Sequence, residues 1–173
     1  MSTSPTTCCF IGHRDAAPTP DLITAVRASA RALITIFDTD TFLFGSASGF
    51  DRICLSVVTD LKEEYPHIRR VYVRAEYPDI DEFYREKLLE KYDDTFFPEE
   101  LRSAGRARYV ERNRIMIDWA DSCVFYYRGE NTVADRAGRK RKSGTALAYD
   151  YAVKRKKDIY NVSEIMCPEN FLK

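Results

Sequence analysis

Thr7-Cys8-Cys9-Phe10-Ile11-Gly12-His13-Arg14 sets the architecture of this chain. It is an apolar run of strand length that ends on a glycine and two polar residues, and the sequence after it changes period. Pro20 and Asp21 start a helix whose apolar positions Leu22, Ile23, Val26, Ala30, Leu33, Ile34 and Phe37 recur at three and four, giving one stripe to pack on a sheet. A second strand, Thr41 to Phe44, closes at Gly45. A second helix runs from Phe50 to about Tyr65, with Ile53, Val57, Val58 and Leu61 inward and Pro66 past its end. Val71 to Val73 makes a third short strand. Strand-length apolar runs that alternate with longer segments of helical period are the signature of a parallel sheet with crossover helices.

The middle of the chain is more polar. Ile80 to Tyr92 reads as an exposed amphipathic helix, and Asp93 to Ala107 as a loop with room for a short strand at Thr95 to Phe97. Helical spacing resumes in Tyr109, Ile115, Met116 and Trp119 and leads into the strand Ser122 to Tyr126. A polar, basic loop spans Arg128 to Lys142. Ser143-Gly144-Thr145 then opens a helix to about Arg155, and Asp158 to Val162 is the last strand. No internal repeat or low-complexity linker divides residues 1–173. The expectation is a single Rossmann-like three-layer α/β domain with a mainly parallel central sheet flanked by helices, and a flexible start at residues 1–6.

Composition narrows the function. The 173 residues are 45% apolar and 31% charged, and a chain of that size buries roughly 70% of the surface it exposes when unfolded. No stretch approaches the ~18 apolar residues of a membrane helix, and Met1 to Thr7 lacks the basic and apolar regions of a signal peptide. A cytoplasmic protein with no membrane partner is expected. The 27 basic side chains are matched by 27 acidic ones, which argues against long nucleic acid as a partner. That neutrality is an average. Acidic residues crowd the stretch from Glu63 to Glu100 and basic ones the stretch from Arg102 to Lys157. Five cysteines, an odd number with no CxxC pair, indicate neither a disulfide framework nor a metal site. Cys8 and Cys9 are expected on opposite faces of their strand as small buried hydrophobes.

In an open parallel sheet the ligand sits beyond the carboxyl ends of the strands, where helix N-termini offer free N–H groups. Three turns there are rich in small residues: Gly12-His13-Arg14, Gly45-Ser46-Ala47-Ser48-Gly49-Phe50-Asp51, and Ser143-Gly144-Thr145. Glycine permits the close backbone approach that a phosphate cradle requires, and Ser or Thr hydroxyls can cap a helix or bond a phosphate oxygen. Each turn alone is also an ordinary strand-to-helix connection.

Together with Arg112-Asn113-Arg114-Ile115-Met116, Asp118 and Tyr151-Ala152, these turns follow one order. On those motifs the chain resembles the YpsA-like (DUF1273) family, from about Cys8 to Val162. That family belongs to the SLOG superfamily of Rossmann-like domains, with the DNA-processing protein DprA and the LOG phosphoribohydrolases. The resemblance implies a nucleotide-derived ligand of the ADP-ribose, NAD or nucleoside phosphate type, bound or sensed at the carboxyl edge. Its implied contacts are Gly12, His13, Arg14, Gly45, Ser46, Ala47, Gly49, Asp51, Arg112, Asn113, Ser143, Gly144 and Thr145. LOG enzymes carry GGxGTxxE, whose Glu cleaves an N-glycosidic bond. Here Gly144-Thr145 keeps the phosphate turn, whereas the Glu position holds Ala148. Asp150 lies about 200° further round the helix. Glycosidic cleavage would therefore need another carboxylate, Glu76 or Asp51. The GxxxGxD turn from Gly45 to Asp51 is similar to that of DprA, which implies single-stranded DNA binding as a third reading.

Several residues admit two roles. Arg14 can grip a phosphate bidentately or make a surface ion pair. His13 without a second ligand at metal spacing reads as a turn residue. Asp51 can serve the helix dipole or bond a ribose. Asp118 or Asp121 could orient Arg112, and Trp119 reads as core. The cations from Arg136 to Lys142 can close over an anion or sit in a solvated loop, while Lys154 to Lys157 suit a helix C-terminus. Phe96, Phe97 and Tyr109 in the polar middle suggest a surface for self-association into a homo-oligomer.

Overall fold

The computed structural model describes residues 4–129 and 132–165. Its central sheet has six strands, all parallel: β1 (Thr6–Gly12), β2 (Thr39–Phe44), β3 (Arg69–Val73), β4 (Asp94–Phe96), β5 (Ser122–Tyr126) and β8 (Asp158–Asn161). They lie in the order β4-β3-β2-β1-β5-β8. The chain moves outward from β1 to β4, then returns to the other side of β1. The order therefore reverses between β1 and β5, which is where a ligand crevice opens in such sheets. This is a single Rossmann-like three-layer domain, as the alternating periods indicated.

Each face of the sheet buries its own core. Cys8 and Phe10 point toward α1 (Pro20–Phe37) and α2 (Gly49–Glu64), where the Phe10 ring stacks on Phe42 at 5.6 Å and meets Phe44 tilted at 5.3 Å. Cys9 and Ile11 point to the opposite face, against Met116 and Ile117 of α4 (Arg108–Trp119) and Ala148 and Ala152 of α5 (Gly144–Lys154). Strand alternation is the reason neighbouring cysteines separate in this way. Cys8, Cys9, Cys54 and Cys123 are all buried, and burial pushes the thiols of Cys8 and Cys54 far up, which keeps them unreactive. Cys167 lies outside the described residues.

Helix ends follow local chemistry. Thr19 accepts from the Leu22 N–H at 3.3 Å to cap α1, and Ser143 accepts from the Ala146 N–H at 3.0 Å to cap α5. Some boundaries differ from the periodic reading. β1 starts at Thr6, whose hydroxyl bonds Phe37 O and Thr39 Oγ1 at 2.9 Å, so residue 6 belongs to the sheet. The helix read over 80–92 shortens to α3 (Glu82–Leu89), where Asp81 caps Tyr84 N–H at 2.7 Å. The segment 93–107 is more ordered than a loop, with edge strand β4 and two 3-10 turns, Glu99–Ser103 and Gly105–Ala107. The last strand ends at Asn161, and Val162 begins the short helix α6 (Val162–Ile165).

The largest departure is in the basic segment 128–142. It contains an antiparallel hairpin, β6 (Thr132–Ala134) with β7 (Lys140–Lys142). Its turn is built by Asp135, whose Oδ1 accepts from Ala137 N–H and Arg139 N–H at 2.9 and 2.8 Å, while Gly138 takes the left-handed φ of 76°. An Asp-to-glycine turn of this kind folds from local bonds rather than from apolar alternation.

Candidate functional site

A cleft of about 800 Å³ opens at the carboxyl edge over the β1/β5 reversal. It is floored by the turns after β1 and β2, walled by α4, and closed on the far side by the end of the hairpin and the start of α5. Glycines bring these pieces together. A Cβ on Gly12 would stand 2.3 Å from the Phe50 ring, and one on Gly49 would stand 2.4 Å from Ala16 O. The Gly49 N–H donates to Arg14 O at 3.0 Å, so α2 is tied to the first turn. A Cβ on Gly45 would meet Arg112 Nε at 2.6 Å. Glycine there lets the guanidinium lie against the turn, where Arg112 Nη1 donates to Gly45 O.

Arg112 is the centre of the site. It is only 5% exposed, its Nε donates to Asn113 Oδ1 at 3.1 Å, and among the described residues no carboxylate lies within 4 Å of it. Burial pulls its guanidinium below the usual range, against the opposing field of Asp51. A buried cation with no ion-pair partner costs several kcal/mol unless an anion completes it. Arg14 faces the same cleft, and its side chain makes no hydrogen bond or ion pair among the described residues. Arg106, Arg141 and Lys142 add to the wall. Lys142 is shared with Asp150 at 2.7 Å, and Arg139 is turned away to Asp135 at 2.9 Å. Part of the basic segment thus reaches the cleft, and part of it stabilises its own turn.

The carboxylates at the site are committed to the protein. Asp51 is 4% exposed, and its Oδ2 accepts from Ser46 N–H at 2.7 Å and from Ser46 Oγ–H at 2.8 Å, holding the second turn closed. Burial pushes its carboxyl up to about 6, with the Ser46 bonds and the Arg112 charge opposing. Glu76 accepts from Tyr109 OH and pairs with Arg108 at 3.3 Å. Asp15 bridges the β1 and β5 turns by accepting from Arg128 at 3.0 and 3.1 Å, a contact that the periodic reading missed. His13 is buried, and its Nε2 accepts from Arg128 N–H at 3.1 Å, which makes it a support of the turn.

At the start of α5, the Ser143 hydroxyl is used by its cap while Gly144 and Thr145 face the cleft. Among the described residues, no atom beyond its own helix and chain neighbours comes within 4 Å of a Cβ built on Gly144, so packing gives no reason for glycine there. Gly12, His13, Arg14, Gly45, Ser46, Asp51, Arg112, Asn113, Ser143, Gly144 and Thr145 therefore line one cavity. Ala47 and Glu76 line its neighbour, a cleft of about 300 Å³, and Gly49 lies behind both. The smaller cleft also brings in Tyr72, Arg74, Tyr77 and Tyr84, which the sequence reading passed over. For Arg74 and Tyr77 the signal lies in Arg74-Ala75-Glu76-Tyr77-Pro78 after the third strand, whereas Tyr72 within β3 and Tyr84 on α3 carry no local signal of a site.

Three assignments are corrected. Asp118 accepts from Tyr151 OH at 2.9 Å and pairs with Arg155 at 2.8 Å, and Asp121 accepts from Thr7 N–H at 2.8 Å, so neither orients Arg112. Trp119 is 44% exposed and leans on Phe96 at the sheet edge, with ring centroids 4.8 Å apart, rather than filling the core. That contact half-buries Phe96, and Phe97 is half-buried as well, so of the three aromatics suggested for self-association only Tyr109 is exposed, at 38%. Lys157 donates to Ala120 O at 2.7 Å and to Asp118 O at 3.3 Å, a structural use of the second basic run. Among the described residues, no three His, Cys, Asp or Glu side chains are grouped to hold a metal ion, and no helix is long and apolar enough to cross a membrane.

No family model matches the chain, and no curated protein matches it. Among solved structures it is similar to a probable mandelate racemase from Alicyclobacillus acidocaldarius, at 14% identity and a TM-score of 0.29. That likeness covers 91% of this chain and 42% of the other, and it is too slight to bear on function.

Proposed function

We propose that this Rossmann-like domain binds a small nucleotide-derived anion, of the ADP-ribose, NAD or nucleoside phosphate type, at the carboxyl edge of its sheet. The observation that carries the proposal is the buried Arg112 guanidinium in the cleft wall, which among the described residues has no carboxylate within 4 Å, with Arg14, unpaired among the same residues, beside it. A phosphate oxygen between the two guanidiniums would supply the missing charge. Gly144 and Thr145 at the start of α5 line the same space, a helix N-terminus favours an anion, and the resemblance to the YpsA-like family in the order of the turns supports the same ligand class.

A binding or sensing role fits better than LOG-like cleavage, because Asp51 and Glu76 are both occupied by protein donors. Chromatography for free base from NAD and nucleoside monophosphates tests the cleavage reading. The equal counts of 27 basic and 27 acidic residues favour a small anion over single-stranded DNA. Calorimetric titration with ADP-ribose, NAD, AMP and inorganic pyrophosphate tests the proposal directly. Saturable binding by at least one is expected, with Arg112→Gln losing about a hundredfold in affinity, or ~2.7 kcal/mol. If no probe saturates, or if Arg112→Gln binds as the parent does, the proposal fails.

A further inference from the structure

The two clefts meet at one charged point. Arg14 and Arg112 line both the larger cavity of about 800 Å³ and the smaller one of about 300 Å³. A terminal phosphate would use only one of these spaces. A cation pair at their junction instead suits an anionic group with something attached at each end.

The walls of the smaller cleft say what one end should be. Tyr77 and Tyr84 meet edge to face, with ring centroids 5.9 Å apart, and remain 61% and 39% exposed. α3, which carries Tyr84, packs on the core through Leu88, and neither Tyr77 nor Tyr84 is part of a core cluster, so these two rings do not serve the core. Tyr72 forms part of the same wall, stacked on Tyr92 at 5.0 Å.

Arg74 differs from these rings in being 9% exposed. Its Nη1 donates to Tyr77 O at 2.6 Å and reaches Pro78 O at 3.5 Å, while among the described residues its buried Nε has no acceptor and no carboxylate lies within 4 Å. Flat π-faces beside a guanidinium short of acceptors match a planar heterocycle that carries acceptor atoms. A volume of about 300 Å³ is at the lower end of small-molecule sites, which suits a ring and not a whole dinucleotide.

We infer that the smaller cleft is a ring-binding subsite and that the ligand is two-ended. In this arrangement a pyrophosphate-type bridge rests on Arg14 and Arg112, and one ring enters among Tyr72, Tyr77 and Tyr84 against Arg74. The other end runs through the larger cleft toward Gly144 and Thr145. The inference rests on the anion-binding reading above and adds the division of labour between the two cavities.

Calorimetry on the full chain with inorganic pyrophosphate, AMP and NAD tests it. NAD is expected to bind at least tenfold more tightly than AMP or pyrophosphate. Tyr84→Ala, on an exposed helix face where folding is not at risk, is expected to lose about tenfold in NAD affinity and to leave pyrophosphate binding unchanged. Arg74→Gln should show the same selectivity, with circular dichroism verifying its fold. If Tyr84→Ala binds NAD as the parent does, or if AMP binds as tightly as NAD, the subsite is refuted. Should Arg112→Gln still abolish pyrophosphate binding in that case, the anion site itself stands. A parent protein that binds none of pyrophosphate, AMP, ADP-ribose and NAD refutes both.

Discussion

Asp51→Asn should stabilise the protein at neutral pH and change little in acid. The Asp51 carboxylate is 4% exposed and accepts two bonds on Oδ2, both from Ser46. Burial raises its carboxyl from 3.8 to about 6, because the Ser46 bonds and the Arg112 charge do not fully offset lost hydration. In the unfolded chain the ordinary value applies. Between those two values the folded state holds the proton more tightly, so stability falls as pH rises and the loss is complete above about 6. A rise of this size corresponds to about 3 kcal/mol. Asparagine removes the charge and keeps an oxygen to accept from Ser46. Urea unfolding of parent and variant at pH 4.5 and 7.5 should therefore show an advantage for Asp51→Asn that grows with pH, toward roughly 2–3 kcal/mol. The same ionisation places a negative charge near Arg112. The parent-to-variant ratio of pyrophosphate affinities, in which the probe's own titration cancels, should accordingly fall as pH passes about 6. A variant less stable than the parent at pH 7.5, or a difference that is the same at both pH values, would refute this account of Asp51.

Two glycines of the site should respond in opposite ways. Gly12→Ala would place a Cβ 2.3 Å from the fully buried Phe50 ring, and such overpacking costs about 1–3 kcal/mol. An unchanged urea midpoint would show that α2 can give way there. Gly144→Ala meets no atom within 4 Å beyond its own helix and chain neighbours among the described residues, so folding stability should stay within about 0.5 kcal/mol of the parent while NAD affinity falls. Equal affinity, measured by calorimetry, would remove Gly144 from the site.

The layers of the fold were legible because the core is selected by period. Leu22, Val26, Ala30 and Leu33 recur on one helix face and are buried on it, and Cys8 and Cys9 separate to the two faces of the sheet because strand side chains alternate. The hairpin Thr132–Ala134 with Lys140–Lys142 was not legible in that way, because its register comes from an Asp135 turn within a run of cations. The site was legible in part. Small residues at strand ends marked the turns, and Arg112 and Gly144-Thr145 stood out as motifs.

Charge partnerships were the least legible feature. Asp118 stood near Arg112 in sequence, yet it bonds Tyr151 and Arg155, which lie more than thirty positions further along the chain. Asp15 meets Arg128 across the β1/β5 reversal. A carboxylate bonds whichever donor the packed elements bring within about 3 Å, and no local period encodes that distance. The sequence alone established a parallel sheet with crossover helices and glycine turns at its carboxyl edge, since burial and turn geometry act over a few residues. Which cations remain without a counter-charge, and that Arg14 and Arg112 stand where a tyrosine-walled cleft joins a larger one, followed only from packing the strands side by side, because electrostatic and cavity geometry depend on distances between residues far apart in the chain.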